Sequence, residues 1–273
     1  MAAQETNSGS LLRAENLTIR FGGLVAVQRF SLSVPARQIV GLIGPNGAGK
    51  TTVFNLMTGV YKPNEGQVYL EDQELTGRGA HVISRAGIAR TFQNIRLFCG
   101  LTVMENIVAA LCWQRRGKSF SSLFALPKTA KFEKELFEKA LKLLDFVGLM
   151  EFREWEATSL PYGLQRKLEI ARALATQSKV LLLDEPAAGM NPTEKDELAV
   201  LVRQIVAQFG IGVLLIEHDM KFVMNLCSEI TVLDHGEVIA VGTPAEIQKN
   251  PKVIEAYLGV DYDAASATEG NSK

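Results

Sequence analysis

The chain has 273 residues, 47% of them hydrophobic and 22% charged, a composition that suits one compact domain, or one domain carrying a sizeable insertion, around a generous core. Its 29 Lys and Arg nearly cancel its 30 Asp and Glu, so there is no global electrostatic case for nucleic acid as a partner and any bound anion must be held locally. No apolar run approaches the roughly 18 residues a spanning helix needs, and Cys99, Cys112 and Cys227 form no CxxC pair, as expected of reduced thiols in a cytosolic protein.

The opening MAAQETNSGS lacks the basic segment and apolar stretch of a secretory signal, and residues 1–10 are expected to be a flexible end. From residue 11 to 261 the pattern is that of one folded domain. ENLTIRF and SLSV alternate apolar with polar side chains, as does QVYLEDQEL further on, which predicts an N-terminal antiparallel β-subdomain. Between them, residues 39–43 of QIVGLIG form a continuous apolar run that reads as a strand buried on both faces. A helical pattern then dominates residues 95–165. In TAKFEKELFEKALKLLDFVGL, Phe132, Leu136, Ala140, Leu143, Leu144 and Val147 recur at spacings of three and four, which makes one apolar stripe. QRRGKSFSSLFALPK, before it, reads as a loop or the tip of an insertion. LEIARAL returns the chain to the main sheet, where 180–183 of VLLLDE and 213–216 of GVLLIEH are two more doubly buried strands. EITVLDHGEVIAVG is a last apolar run bounded by turn residues, and residues 262–273 read as a second flexible end. The expected fold is therefore α/β: a mostly parallel sheet flanked by helices, with an antiparallel β-subdomain and an inserted α-helical subdomain.

Three strand ends carry chemistry. After Ile43, the residues Gly44, Gly49, Lys50 and Thr51 fill the G-x-x-x-x-G-K-[ST] pattern and a helix follows. Such a loop is a phosphate cradle. The stretch Gly44, Pro45, Asn46, Gly47, Ala48, Gly49 curls its backbone around a β-phosphate, Lys50 reaches β and γ oxygens, and the Thr51 hydroxyl can ligate Mg²⁺. Asp184 ends the VLLLD strand, where a carboxylate can hold the water shell of Mg²⁺, and Glu185 beside it can orient or deprotonate an attacking water. His218 closes GVLLIEH, a plausible neighbour of the strand ending at Asp184, so its side chain is expected to face the same γ-phosphate; His81 and His235 read as ordinary surface or core residues. Gln93, in RTFQNIRLF, is a neutral amide able to reach a metal or a water, which by itself decides nothing. TSLPYGLQRKLEIAR, residues 158–172, sets a Pro-Tyr-Gly kink against a helix start: either a loop entering a helix, or an anion site built on unpaired amides.

In this order, GPNGAGKTT, FQN, LPYGLQRKLEIARAL, LLLDEP and IEHDM resemble the nucleotide-binding subunits of ABC transporters, over about residues 11–259. The resemblance implies a P-loop NTPase core and an ATP hydrolase that works as a head-to-tail dimer with a second ATP-binding subunit, the same or homologous. Each ATP is then sandwiched between one subunit's cradle and the Tyr162–Gly163 helix start, or its counterpart, of the other. It further implies that Lys50, Thr51 and Thr52 contact phosphate, that Gln93 senses metal and membrane partner, and that Asp184 holds the metal. Glu185 then corresponds to the catalytic glutamate, His218 to the switch histidine and Phe21 to the aromatic that stacks on adenine. Two departures stand out: Leu160-Pro161-Tyr162-Gly163-Leu164 replaces the usual Leu-Ser-Gly-Gly-Gln, and Asn191 replaces an aspartate. RFGGLVAV, DEPAAGMNP, IEHDMKFVM and GTPAEIQKNPKVIEAYLG look like the ATP-binding subunit of bacterial branched-chain amino acid uptake systems. That implies transmembrane permease subunits, a periplasmic or extracellular binding protein acting indirectly, and a peripheral place on the cytoplasmic face of the inner membrane. Lipid or lipopolysaccharide export, and a soluble non-transport ABC ATPase, are the alternatives.

Overall fold

The computed structural model describes residues 9–115 and 128–257. The expected terminal stretches fall largely outside these, as do nearly all of the expected insertion tip, 114–128, and the side chain of Phe132. In chain order, β1 (Ser10–Phe21) and β2 (Leu24–Pro35) form a hairpin, joined by β4 (Glu65–Leu70) and β5 (Gln73–Glu74) in an antiparallel sheet of order β2-β1-β4-β5. A second sheet contains β3 (Ile39–Ile43), β6 (Ile88–Arg90), β7 (Val180–Asp184), β8 (Gly212–Ile216), β9 (Glu229–Asp234) and β10 (Glu237–Gly242), in the order β10-β9-β3-β8-β7-β6. All its neighbours run parallel except the β9–β10 hairpin.

The second sheet divides two cores. Successive residues of a strand point to opposite faces, and here both faces are covered. Ile39, Ile43, Leu181, Leu183, Val213 and Leu215 join the core on the helical side, whereas Val40, Leu42, Val180, Leu182, Leu214 and Ile216 join the core shared with the antiparallel sheet. That explains why β3, β7 and β8 read as continuous apolar runs rather than alternating ones. The helical side is built by α3 (Val103–Arg115), α4 (Lys128–Phe146) and α5 (Tyr162–Ala175), together with the buried faces of α6 (Pro192–Phe209) and α7 (Met220–Leu226). Leu136, Ala140, Leu144 and Val147 are buried as the stripe requires, and Leu143 is half-buried. Further helices include α1 (Lys50–Met57), α2 (Ala80–Ala86) and α8 (Pro244–Lys249).

Register fixes where the chemistry gathers. Leu42 and Asp184 both pair with Ile216, so β3, β7 and β8 end at one edge. The loops after Ile43, Asp184 and Ile216 therefore emerge together, at the carboxyl ends of the strands where open α/β sheets hold ligands.

Candidate active site

The loop after β3 needs its glycines for conformation and for space. Gly44, Gly47 and Gly49 have φ of 152°, 81° and 105°, values that L side chains rarely adopt. A Cβ on Gly44 would run into the Leu233 carbonyl oxygen, and one on Gly49 would lie 2.8 Å from the Ala26 carbonyl oxygen. The cradle is thus pressed between β9 and β2, while Asn46 and Gly47 stand exposed at its tip. Lys50 is buried, and its Nζ donates to the Gly44 and Pro45 carbonyls at 2.7 and 2.8 Å, which aims the ammonium across the loop. Burial pushes its pKa down, against the opposing charges of Glu185 and Asp184. Thr51 is exposed and Thr52 half-buried on the first turn of α1.

Around this lysine the three expected catalytic side chains meet. Gln93 Nε2 donates to Glu185 Oε2 at 2.8 Å, and His218 Nε2 lies 2.7 Å from Glu185 Oε1. Glu185 itself is held in the left-handed region, at φ 47°, without being a glycine, a conformation that costs about 1–3 kcal/mol and persists only where surroundings enforce it. Its backbone N–H donates to the Ile216 carbonyl at 2.9 Å, which ties the end of β7 to the end of β8. Asp184 is 5% exposed.

Four charged residues that the sequence reading did not single out complete the site. Arg90, at the end of edge strand β6, donates through Nη2 to Asp184 Oδ2 at 2.6 Å and through Nη1 to Asn55 Oδ1 at 2.7 Å. Arg166 is fully buried in α5; it bonds the Phe92 and Gln93 carbonyls at 2.7 and 2.9 Å, Glu169 Oε2 at 2.6 Å and the Tyr162 hydroxyl at 3.1 Å. Glu169 also accepts from the Phe92 N–H, and its burial pushes its pKa up. Glu217 is buried between Ile216 and His218. An acid closing an apolar strand was the available signal for Glu217; for the arginines, nothing local distinguishes them from the other basic residues.

Tyr162 and Gly163 open α5, tied to the Gln93 segment through Arg166. Tyr162 contacts Arg166 and lies over Gly189, and a Cβ on Gly163 would lie 2.9 Å from Glu194 Oε1. Pro161 is the N-cap of α5, with no side-chain hydrogen bond to its amides. Asn191 caps α6: its side chain accepts from the Glu194 N–H at 3.0 Å and Glu194 Oε2 accepts from the Asn191 N–H at 2.9 Å, a reciprocal capping box. Phe21 ends β1, 44% exposed, edge-on to Tyr61 with ring centroids 5.2 Å apart.

The oxygen donors Thr51, Gln93 and Asp184 fit Mg²⁺. This hard cation is usually held by one or two carboxylates together with substrate phosphates.

Comparison with known proteins agrees with this geometry. The family model described as ABC transporter matches residues 27–188, and that described as branched-chain amino acid ATP-binding cassette transporter matches residues 237–263. The high-affinity branched-chain amino acid transport ATP-binding protein BraF of Pseudomonas aeruginosa is 46% identical over 252 residues, 92% of this chain and 99% of that protein. LivG of Escherichia coli, with the same description, is 47% identical over the same share of each. Among solved structures, a nucleotide-free ATP-binding cassette from an ABC transporter superposes with TM-score 0.76 at 32% identity, covering 91% of this chain and 98% of that one. A cassette in its ADP conformation gives 0.77 at 33% identity, covering 92% and 99%.

Proposed function

This chain belongs to the ABC transporter family, as an ATP-binding and ATP-hydrolysing subunit of branched-chain amino acid transport, and we propose that it hydrolyses ATP with Glu185 as the general base. The observation that carries this reading is the bracketing of Glu185 by Gln93 and His218, at 2.8 and 2.7 Å, beside the buried Lys50. Gln93 and His218 fix the two carboxylate oxygens, so the group can take the proton of a water attacking the γ-phosphate. Lys50 and the loop amides hold the β- and γ-phosphates, and Phe21 stacks on adenine. When bound, Mg²⁺ would be held by Thr51, Gln93 and Asp184 and would supply neutralisation of the phosphate charge.

The active form is a dimer in which the α5 start of one subunit, at Tyr162 and Gly163, clamps the nucleotide of the other. Permease subunits dock in a cleft of about 830 Å³ between β6, α3 and α5. Its lining suits a helix that offers both apolar and acidic side chains: the Arg96 guanidinium lies 4.3 Å over the Phe92 ring and that of Arg172 lies 4.2 Å over Phe98. A peripheral position on the cytoplasmic face of the inner membrane, with a binding protein acting through the permease, follows. Among the described residues no helix is long and apolar enough to cross a membrane.

The test is the assembled complex. The chain should co-purify with hydrophobic membrane subunits, and its ATP hydrolysis should rise when a branched-chain amino acid and its binding protein are supplied. Recovery with nucleic acid, or stimulation by lipid alone, would count against the proposal.

A further inference from the structure

Glu185 faces its partners only because its backbone is kept in an unfavourable conformation, and the hydrogen-bond pattern identifies what keeps it there. Two N–H groups on the Glu185 loop point back to the end of β8. One is that of Glu185, bonded to the Ile216 carbonyl at 2.9 Å. The other is that of Ala187, which donates to Glu217 Oε1 at 2.6 Å. The second oxygen of the same carboxylate accepts from the His218 N–H at 3.0 Å and from the Asp219 N–H at 3.5 Å. One side chain, 4% exposed, therefore holds the loop that follows the general base and the loop that carries its histidine partner.

We infer that Glu217 is a positioning residue, which locks Glu185 in its left-handed conformation and His218 against it by accepting backbone N–H groups from both loops at once. The inference rests on the hydrolytic reading of Glu185 and His218. The site calls for an acceptor-only group of this length. An ionised carboxylate offers only acceptors, whereas a glutamine of the same shape turns an NH₂ donor toward at least one backbone donor and leaves it unpaired. Burial pushes the Glu217 carboxyl above the usual carboxylate range, with the backbone N–H groups opposing the shift. Its position also ties it to the wider frame: Asp219, two residues on, caps α7 by accepting from the Phe222 N–H at 3.1 Å and pairs with Lys195 of α6 at 2.6 Å.

The test uses the full-length chain with Glu217→Gln, Glu217→Asp and, in parallel, Glu185→Gln. For Glu217→Gln, kcat should fall on the order of 10- to 100-fold, as misplacement of a catalytic group by about 1 Å does, with KM changed by less than about twofold because the phosphate loop is untouched. Hydrogen exchange in segments 185–190 and 217–220 should accelerate about tenfold, with β1 and β2 unchanged. Glu217→Asp keeps both acceptor oxygens and should recover part of kcat. A wild-type kcat in Glu217→Gln, or a reduced kcat with unchanged exchange in those two segments, overturns the inference. Should Glu217→Gln loosen the whole chain, Glu217→Asp decides: partial kcat with native exchange in β1 and β2 supports the assignment, and a kcat no better than that of Glu217→Gln overturns it. Full hydrolysis by Glu185→Gln would overturn the reading of the general base itself, and the inference with it.

Discussion

At the scale of single residues, the proposed phosphate contact of Lys50 makes the sharpest prediction. Removing its charge-assisted contacts to phosphate should cost about 1.5–3 kcal/mol, so Lys50→Ala is expected to weaken ATP affinity about 10- to 150-fold in a fluorescent-nucleotide titration. The thiols give an independent check on burial. Cys99 is exposed, whereas Cys227 is buried and its pKa is pushed up to about 12. At pH 8 the native chain should therefore be alkylated at Cys99 and spared at Cys227, both reacting once it is unfolded; peptide mass mapping reads the difference. Lys50, Asp184, Glu185 and His218 could be marked in the sequence because each stands at the end of an apolar run or inside a spaced pattern, whereas Gln93 is marked only by the family resemblance. Arg90 and Arg166 could not. Arg90 meets Asp184 across 94 positions and Arg166 meets Phe92 across 74, and one arginine among 29 basic residues carries no local sign of so distant a partner.

Among the elements, the start of α5 is the most sensitive. A methyl at Gly163 has to displace the end of the Glu194 side chain, which is half of the capping box on α6. Glu194 can swing its carboxylate aside while Asn191 keeps its own bond to the Glu194 N–H. Alanine is also favoured over glycine in a helix by about 1 kcal/mol, so Gly163→Ala should shift a denaturant melt by less than about 1 kcal/mol. Gly163→Asp adds a like charge beside Glu194, about 4 kcal/mol at 4 Å and an effective dielectric of 20 before solvent screening. Combining Gly163→Asp with Glu194→Gln should restore much of the folding stability but not ATP-driven dimerisation, because in the proposed clamp the carboxylate would still face the partner's γ-phosphate. If dimerisation returns as well, seen by gel filtration with ATP, the α5 start is only a helix end. Elements were legible in proportion to their burial: β3, β7 and β8 stood out as runs with both faces covered, and α4 as a stripe with one. Strand β6, three residues long, is too short to show a period and is defined by its pairing with β7. Asn191, read as a departure from a pattern, caps the first turn of α6, a role an aspartate would fill equally well.

For the whole molecule, the decisive expectation is a dimer that depends on nucleotide. Glu185→Gln should bind ATP, hydrolyse it very slowly and run as a dimer with ATP and as a monomer without, whereas adding Lys50→Ala should abolish the shift in light scattering. The broad architecture was legible because the apolar runs and their connections prescribe a parallel sheet; the division into two cores was not, since it arises from which sheet covers which face. The order of the second sheet also bears on how the chain is made. β3 lies between β8 and β9, so residues 39–43 leave the ribosome long before either neighbour, at 212–216 and 229–234, has been synthesised. At about 5–20 residues per second the wait is roughly 10–30 s. During that time the antiparallel sheet, complete by residue 74, can close on itself, but the strand that leads into the nucleotide loop has an unsatisfied edge on each side. Nascent chains stalled before residue 212 should therefore resist protease in β1 and β2, bind no ATP and attract chaperones at β3, and nucleotide binding should switch on abruptly once β8 and β9 are free to pair. A protein whose work is to spend ATP is thereby kept from touching it until nearly all of its chain exists.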